Sequence, residues 1–248
     1  MSLRPTAVVA LVANIWLGGC AGTGEAPIPP QRSLAEVLKP GDVLALPVYD
    51  PIERWNRGVY TFNAGLDRVV ILPIVHAYEF ITPELVRNRI RDFFSNLTEI
   101  PTFANAILQL KPETAGRAAV RFIDNVLFGF GGLYDIAGEV GGVAQIPEDF
   151  GQTLGHWGVG NGPYLVLPLL GPSNLRDTSG LVVDSAGFSL LIPPGVKSST
   201  AYVATAYGLR PIDRRSNTPF RYYGNGSPFE YDFVRLIYTR TREFQIAR

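Results

Sequence analysis

The chain has 248 residues, with one cysteine, two histidines and one methionine, and its 22 basic and 22 acidic residues cancel. A single cysteine excludes an internal disulfide. So few histidines and cysteines argue against a zinc site of usual composition, so no metal and no cofactor is expected. Zero net charge argues against nucleic-acid binding, which normally needs a basic excess. No run after residue 20 has 18 uninterrupted apolar residues, so no transmembrane helix is expected in the mature chain. Signs of catalysis are also scarce. Gly171-Pro172-Ser173-Asn174-Leu175 lacks the second glycine of a nucleophile elbow, so Ser173 reads as a helix N-cap. Neither His76 nor His156 sits in a triad context, and His156 beside Trp157 reads as a packed, hydrogen-bonded side chain. Gly158-Val159-Gly160-Asn161-Gly162 has no strand before it and a proline after it, which fits a tight loop better than a phosphate loop. No catalytic residue is expected.

What is present begins at the N-terminus. Arg4, a short apolar stretch from Pro5 to Trp16, and Leu17-Gly18-Gly19-Cys20 follow one another. The apolar stretch is too short to span a bilayer, and small residues before a cut mark a signal peptide. Leucine, two small residues and cysteine match the signal of a bacterial lipoprotein, with Cys20 accepting the lipid. Several acyl chains on one cysteine would anchor it stably. Ala21, rather than aspartate, follows Cys20 and points to the outer membrane. The expected division is a signal peptide at 1–19, a lipidated N-terminus and flexible tether at 20–49, and one helical domain at 50–248.

The fold expected for that domain is mainly α. Asp50-Pro51, Thr82-Pro83, Pro101, Pro112 and Ser227-Pro228 each resemble a helix start. Behind them, Trp55, Val59, Phe62, Leu66 and Val69 recur at helical spacing, as do Phe233, Leu236, Ile237 and Phe244. Ser198-Ser199-Thr200 suggests a further start within the otherwise unassigned 186–220. Residues 164–170 are apolar but broken by prolines, and read as an extended loop or buried crossing. Residues 126–147 differ from the rest. Gly129, Gly131, Gly132, Gly138, Gly141 and Gly142 interrupt aromatic and aliphatic residues, with Asp135 among them. Glycine weakens helix, so this segment is soft. It reads equally as a core hairpin or as a mobile apolar gate.

Several motifs together resemble the MlaA/VacJ family of outer-membrane lipoproteins of Gram-negative bacteria. They are Asp50-Pro51 with Asn56-Arg57 and Phe62-Asn63, Phe94-Ser95-Asn96-Leu97, Arg121-Phe122, and Gly131-Gly132-Leu133-Tyr134-Asp135. The most specific run is Asp149-Phe150-Gly151-Gln152-Thr153-Leu154-Gly155-His156-Trp157-Gly158, followed by Gly171-Pro172 and Leu175-Arg176-Asp177. The resemblance implies a ring-like bundle of amphipathic helices in the periplasmic leaflet of the outer membrane, around a central amphipathic channel. It implies removal of misplaced phospholipid from the outer leaflet and delivery to a soluble periplasmic carrier of the MlaC kind. A trimeric porin is the implied partner. The glycine-rich segment then corresponds to the hairpin that gates the channel. Asp177 matches an acidic family position that could line the channel, although a surface cap fits its local pattern as well. Two other readings are a structural, porin-binding envelope lipoprotein and a periplasmic lipid-acting enzyme.

Overall fold

The computed structural model describes residues 28, 30–37, 39 and 48–248, so the signal peptide and Cys20 lie outside the described residues. The fold is mainly helical. Helix α1 runs from Glu53–Ile81 and widens into a π segment at Asp67–Ile71. Helices α2 (Glu84–Leu108) and α3 (Pro112–Leu127) form a long antiparallel pair, followed by the short α4 (Ile136–Glu139) and α5 (Phe150–His156). Strands β1 (Tyr164–Leu167) and β2 (Gly171–Asn174) lead into α6 (Leu175–Leu191). Then come α7 (Pro194–Lys197), α8 (200–216, with a π segment at Ala204–Leu209) and α9 (Glu230–Ala247).

Several local expectations need correction. Pro101 does not open a helix but lies inside α2, which continues through it with α3 packed alongside. Residues 164–174 form a small antiparallel sheet, with Val166 opposite Pro172. Two asparagines of α1 complete its outer edge. Asn56 donates to the Tyr164 carbonyl (2.9 Å) and accepts from Val166 N–H (2.9 Å). One heptad on, Asn63 donates to the Leu167 carbonyl and accepts from Leu169 N–H, both at 2.9 Å. Side-chain amides thus stand in for a third strand, which satisfies backbone groups that burial would otherwise leave unpaired. Helix α9 is regular from Glu230, just after Ser227, whose hydroxyl accepts from Phe229 N–H at 3.1 Å; the Glu230 carboxylate, instead of capping, is buried and takes hydrogen bonds from Tyr60 and from Tyr223 N–H. Part of the tether is docked. Arg32 N–H donates to the Pro228 carbonyl (2.9 Å), and the Ser33 hydroxyl donates to Glu53 (2.7 Å).

The distribution of polarity is the most unusual feature. Buried polar and charged residues outnumber buried apolar ones, 23 to 13 among the described residues, and no leucine or isoleucine is among the buried. Most of the apolar stripes face outward instead, although Val59 of the α1 stripe is buried and Leu66 half-buried. Trp55 is 68 % exposed and Val69 69 %, and the stripe of α9 likewise exposes Phe233, Ile237 and Phe244. Water-soluble proteins leave single apolar side chains exposed, but not the main stripe of helix after helix. Helix α1 is also long and apolar enough to cross a membrane by length and composition alone. Only 33 % of its apolar window is buried in the protein.

Candidate functional site

The interior is held by arginines set between carboxylates, and the glycine-rich segment 126–147 hangs from one of them. At the end of α3, Gly131 N–H donates to the Val126 carbonyl (3.1 Å) and Gly132 N–H to the Asn125 carbonyl (2.8 Å). Three successive residues, Phe130, Gly131 and Gly132, have positive φ. At Gly132 a Cβ would come within 2.6 Å of Asn96 Nδ2, so glycine is required there by both conformation and contact. Asp135 then caps α4 by accepting from Gly138 N–H (3.0 Å). It also accepts from Arg121 and Asn125, each at 3.0 Å, and Asn125 in turn accepts from Ala137 N–H (2.9 Å).

Arg121 is the hub of this cradle. It is only 2 % exposed, donates to Glu99 at 2.6 Å, and reaches the Val143 carbonyl beyond α4. Gln145 donates to the same Glu99 oxygen at 2.9 Å and pairs with Ser95 at 3.0 Å. Both feet of the segment are therefore tied to α2 and α3 by buried polar bonds. Near the tip, the Arg89 guanidinium lies 4.1 Å from the Tyr134 ring centroid and donates to the Leu133 carbonyl at 3.2 Å. Between these ties the segment turns Phe128, Phe130 (80 % exposed) and Val140 outward. Burial would raise Asp135, but Arg121, Asn125 and the Gly138 N–H outweigh it and hold the carboxyl below its usual range. Glu99 is pushed upward by burial despite Arg121.

The sequence singled out the glycines and Asp135. It did not single out Arg121 as the hub, nor Glu99, Asn125, Gln145 and Arg89. Arg121 and Asn125 lie one turn apart on α3, a polar pair continuing the buried face that Ala115 and Ala118 begin, which is a readable signal. Close packing supplies a second reason for several of the glycines. A Cβ at Gly129 would strike the backbone carbonyls of Tyr134 and Asn125, and one at Gly141 would come within 2.7 Å of the Ala137 carbonyl.

Asp177 belongs to a separate cluster and is buried, so it is no surface cap. The cap of α6 is Asn174, which accepts from Asp177 N–H at 2.7 Å. Ser173 instead shares a 2.9 Å hydrogen bond with Thr178. Asp177 accepts from Arg176 (2.9 Å), Tyr238 (2.7 Å) and Arg242 (2.9 Å). Arg242 also holds Asp149 with two bonds of 2.7 Å, and Asp149 caps α5. Burial would raise both aspartates, but Arg242 outweighs it and keeps both below the usual carboxylate range. This explains the Asp149–Gly158 motif. Asp149 caps and pairs, while Gly151 lets α6 approach at Gly180, and Gly155 makes room for Ile246 and Arg176. His156 is exposed, its ring lies edge-on to Trp157, and among the described residues its side chain has no hydrogen bond, so it is not the packed, hydrogen-bonded residue expected. Trp157 donates to the Leu108 carbonyl at 2.9 Å. Among the described residues no group of acidic, histidine or cysteine side chains is placed to hold a metal.

Comparison with known proteins places this arrangement. A family model described as MlaA lipoprotein matches residues 48–245. The intermembrane phospholipid transport system lipoprotein MlaA of Escherichia coli K12 is 39% identical over 138 residues, which cover 54% of this chain and 55% of that protein. The Haemophilus influenzae protein of the same name is 28% identical over 213 residues, or 85% and 78% of the two chains. An uncharacterized protein of Rickettsia felis is 40% identical over 147 residues, and the match spans 58% of its length. A solved structure from work on the "Structural basis for maintenance of bacterial outer membrane lipid asymmetry" is 33% identical, with a TM-score of 0.63. It covers 79% of this chain and 98% of that one.

Proposed function

Because this chain belongs to the MlaA lipoprotein family, we propose that it works as an envelope lipoprotein that withdraws misplaced phospholipid from the outer leaflet of the outer membrane. The lipid passes along an amphipathic channel to a soluble periplasmic carrier. The observation that carries this reading is the inverted polarity of the molecule, with carboxylates, arginines and amides inside and aliphatic stripes outside. A phospholipid moving between leaflets needs a wet path for its head group and hydrocarbon for its tails. Helices with polar inner faces and apolar outer faces supply both, and the buried ion pairs hold the ring together beside a small core of Val59, Tyr60, Tyr164, Val166 and Tyr231. The names of the Escherichia coli and Haemophilus influenzae relatives support the same substrate class.

In this reading the acyl chains on Cys20 hold the protein in the periplasmic leaflet, and a trimeric porin steadies it there. The segment 126–147 is the gate. Its feet are fixed through Arg121, and its apolar tip moves against the lipid tails, with Gly131 and Gly142 as bending points. No covalent step is involved, and transport direction comes from the partners.

The test is deletion of the gene and measurement of outer-leaflet phospholipid with a membrane-impermeant amine-reactive label. Surface phospholipid is expected to rise, to be cured by the wild-type gene, and to persist with Cys20→Ala. An unchanged outer leaflet in the deletion strain would overturn the transport reading and leave an envelope scaffold.

A further inference from the structure

The buried arginines of this protein are each matched by carboxylates. Arg121 has Glu99 and Asp135, Arg235 has Asp50 and Asp232, and Arg242 has Asp149 and Asp177. Arg210 breaks the pattern. It is half-buried where α8 leaves its π segment, and among the described residues its side chain has neither a hydrogen bond nor an ion pair. Arg214 lies one turn further on the same side of the helix, exposed and likewise without a carboxylate. The carboxylates nearby are committed elsewhere. Asp213 is buried against the Tyr78 hydroxyl (3.3 Å), and Asp67 is bound through both oxygens by Arg215 at 2.7 and 2.8 Å. Burial, and then the like charge of Arg214, make Arg210 easier to deprotonate than a free arginine, while Tyr202 lies within electrostatic reach of it. Two adjacent guanidiniums, one partly desolvated, repel each other until an anion joins them.

We propose that Arg210 and Arg214 form a phosphate-binding site, taking either the phosphate of a lipid head group or free phosphate. Two planar forks match the oxygens of one phosphate, and a bound dianion turns their repulsion into attraction. Val203 and Tyr207, exposed on the preceding turns of α8, place apolar surface beside the cations, as an amphiphile with a phosphate head requires. The π segment Ala204–Leu209 rotates these apolar side chains relative to the arginines, and such bulges are common at functional sites. As a head-group site it rests on the lipid-transport reading, whereas the anion site itself does not.

The test uses the full-length protein in non-ionic detergent, with three probes: short-chain phosphatidic acid, the corresponding diacylglycerol and inorganic phosphate. Wild type is expected to bind phosphatidic acid at least about tenfold more tightly than the double variant R210Q/R214Q, since charge-assisted hydrogen bonds are lost. Diacylglycerol should not distinguish the two proteins. R214Q alone changes an exposed side chain and cannot disturb packing. It should weaken phosphatidic acid binding several-fold at an unchanged melting midpoint, and R210K/R214K should keep part of the affinity. Competition by inorganic phosphate would identify a site open to free anions. Binding of phosphatidic acid without such competition would identify a head-group site. Equal binding of phosphatidic acid by wild type, R214Q and the double variant would overturn the proposal, as would failure of wild type to bind either phosphate-bearing probe. Neither result would bear on the surface-labelling assay, which judges the transport reading separately.

Discussion

Two regions of this molecule use the same device to different ends. In the cradle of the glycine-rich segment, Arg121 sits between Glu99 and Asp135. In the C-terminal joint, Arg242 sits between Asp149 and Asp177. The joint binds three helices, with α6 crossing α5 at Gly180 and Gly151 so closely that a Cβ at Gly180 would strike backbone. In the cradle Arg121 secures the feet of a segment that Arg89 touches at Leu133 and Tyr134 but whose Phe128, Phe130 and Val140 side chains stand exposed. One arrangement makes a fixed corner, the other an anchored arm. An ion pair therefore does not reveal whether a region moves; the packing around it does.

The sharpest way to break this comparison is to remove each arginine. Arg121→Met leaves Glu99 and Asp135 without a cation, and Arg242→Met does the same to Asp149 while Asp177 keeps Arg176, a loss of up to about 3–5 kcal/mol where burial is complete. In the joint the loss should appear as global destabilisation in denaturant, toward the lower end because Asp149 is partly solvent-exposed. In the cradle much of it should appear as local opening. Amide exchange across 128–146 is expected to rise by orders of magnitude, while the denaturation midpoint falls less than for Arg242→Met. Equal midpoints with no excess local exchange in Arg121→Met would show that the cradle is as rigid as the joint.

Glycine substitutions sharpen the same contrast with smaller effects. Gly180→Ala places a methyl against the backbone of Gly151, where neither partner can yield, so about 2–3 kcal/mol should be lost. Gly131→Ala meets nothing within 4 Å, and only its φ of 74° resists a side chain, at about 1 kcal/mol. A chemical denaturation series on the two variants checks the order. If Gly131→Ala also raises surface phospholipid in cells, the arm's freedom to bend matters to transport beyond its effect on stability.

Helix periodicity and proline-led starts made the helical class legible, and Ser199 does cap a helix start, accepting from Tyr202 N–H. Periodicity identifies a stripe but not the side of the protein it faces. The stripe of Trp55, Val59, Phe62, Leu66 and Val69 would suit a soluble core equally well, yet only Val59 of it is buried, while Trp55, Phe62 and Val69 face outward. The strand pair escaped notice because Pro168 and Pro172 break its pattern, while its edge is completed by Asn56 and Asn63 more than 100 residues away. Glycines flagged the soft segment because they are local signals. The ion clusters were not legible because each joins residues from separate parts of the chain. Arg242, Asp149 and Asp177 have no local pattern in common.

Acid should separate the two regions by the smallest margin, and the sign follows from the aspartates. Asp149 and Asp177 are held below their usual range, so the stability they contribute is present above about pH 4 and is lost as pH falls through their folded pKa values. Asp184, raised by burial beside Asp149, works against this, but it is one group against two. In the cradle the balance is reversed. Asp135 is lowered, whereas Glu99 and Asp92 (paired with Arg89 at 3.3 Å) are raised by burial, so the folded state takes up their protons more readily than the unfolded chain and gains stability on acidification. Between pH 7 and pH 3, amide protection in α9, corrected for intrinsic exchange, should fall by up to about tenfold per affected carboxylate. Partial exposure of Asp149 reduces that figure. Protection at 136–141 should change less over the same range. Loss of protection at 136–141 ahead of α9 would mean that Asp135 outweighs both raised carboxylates, and that the arm, rather than the corner, is the acid-sensitive part of the molecule.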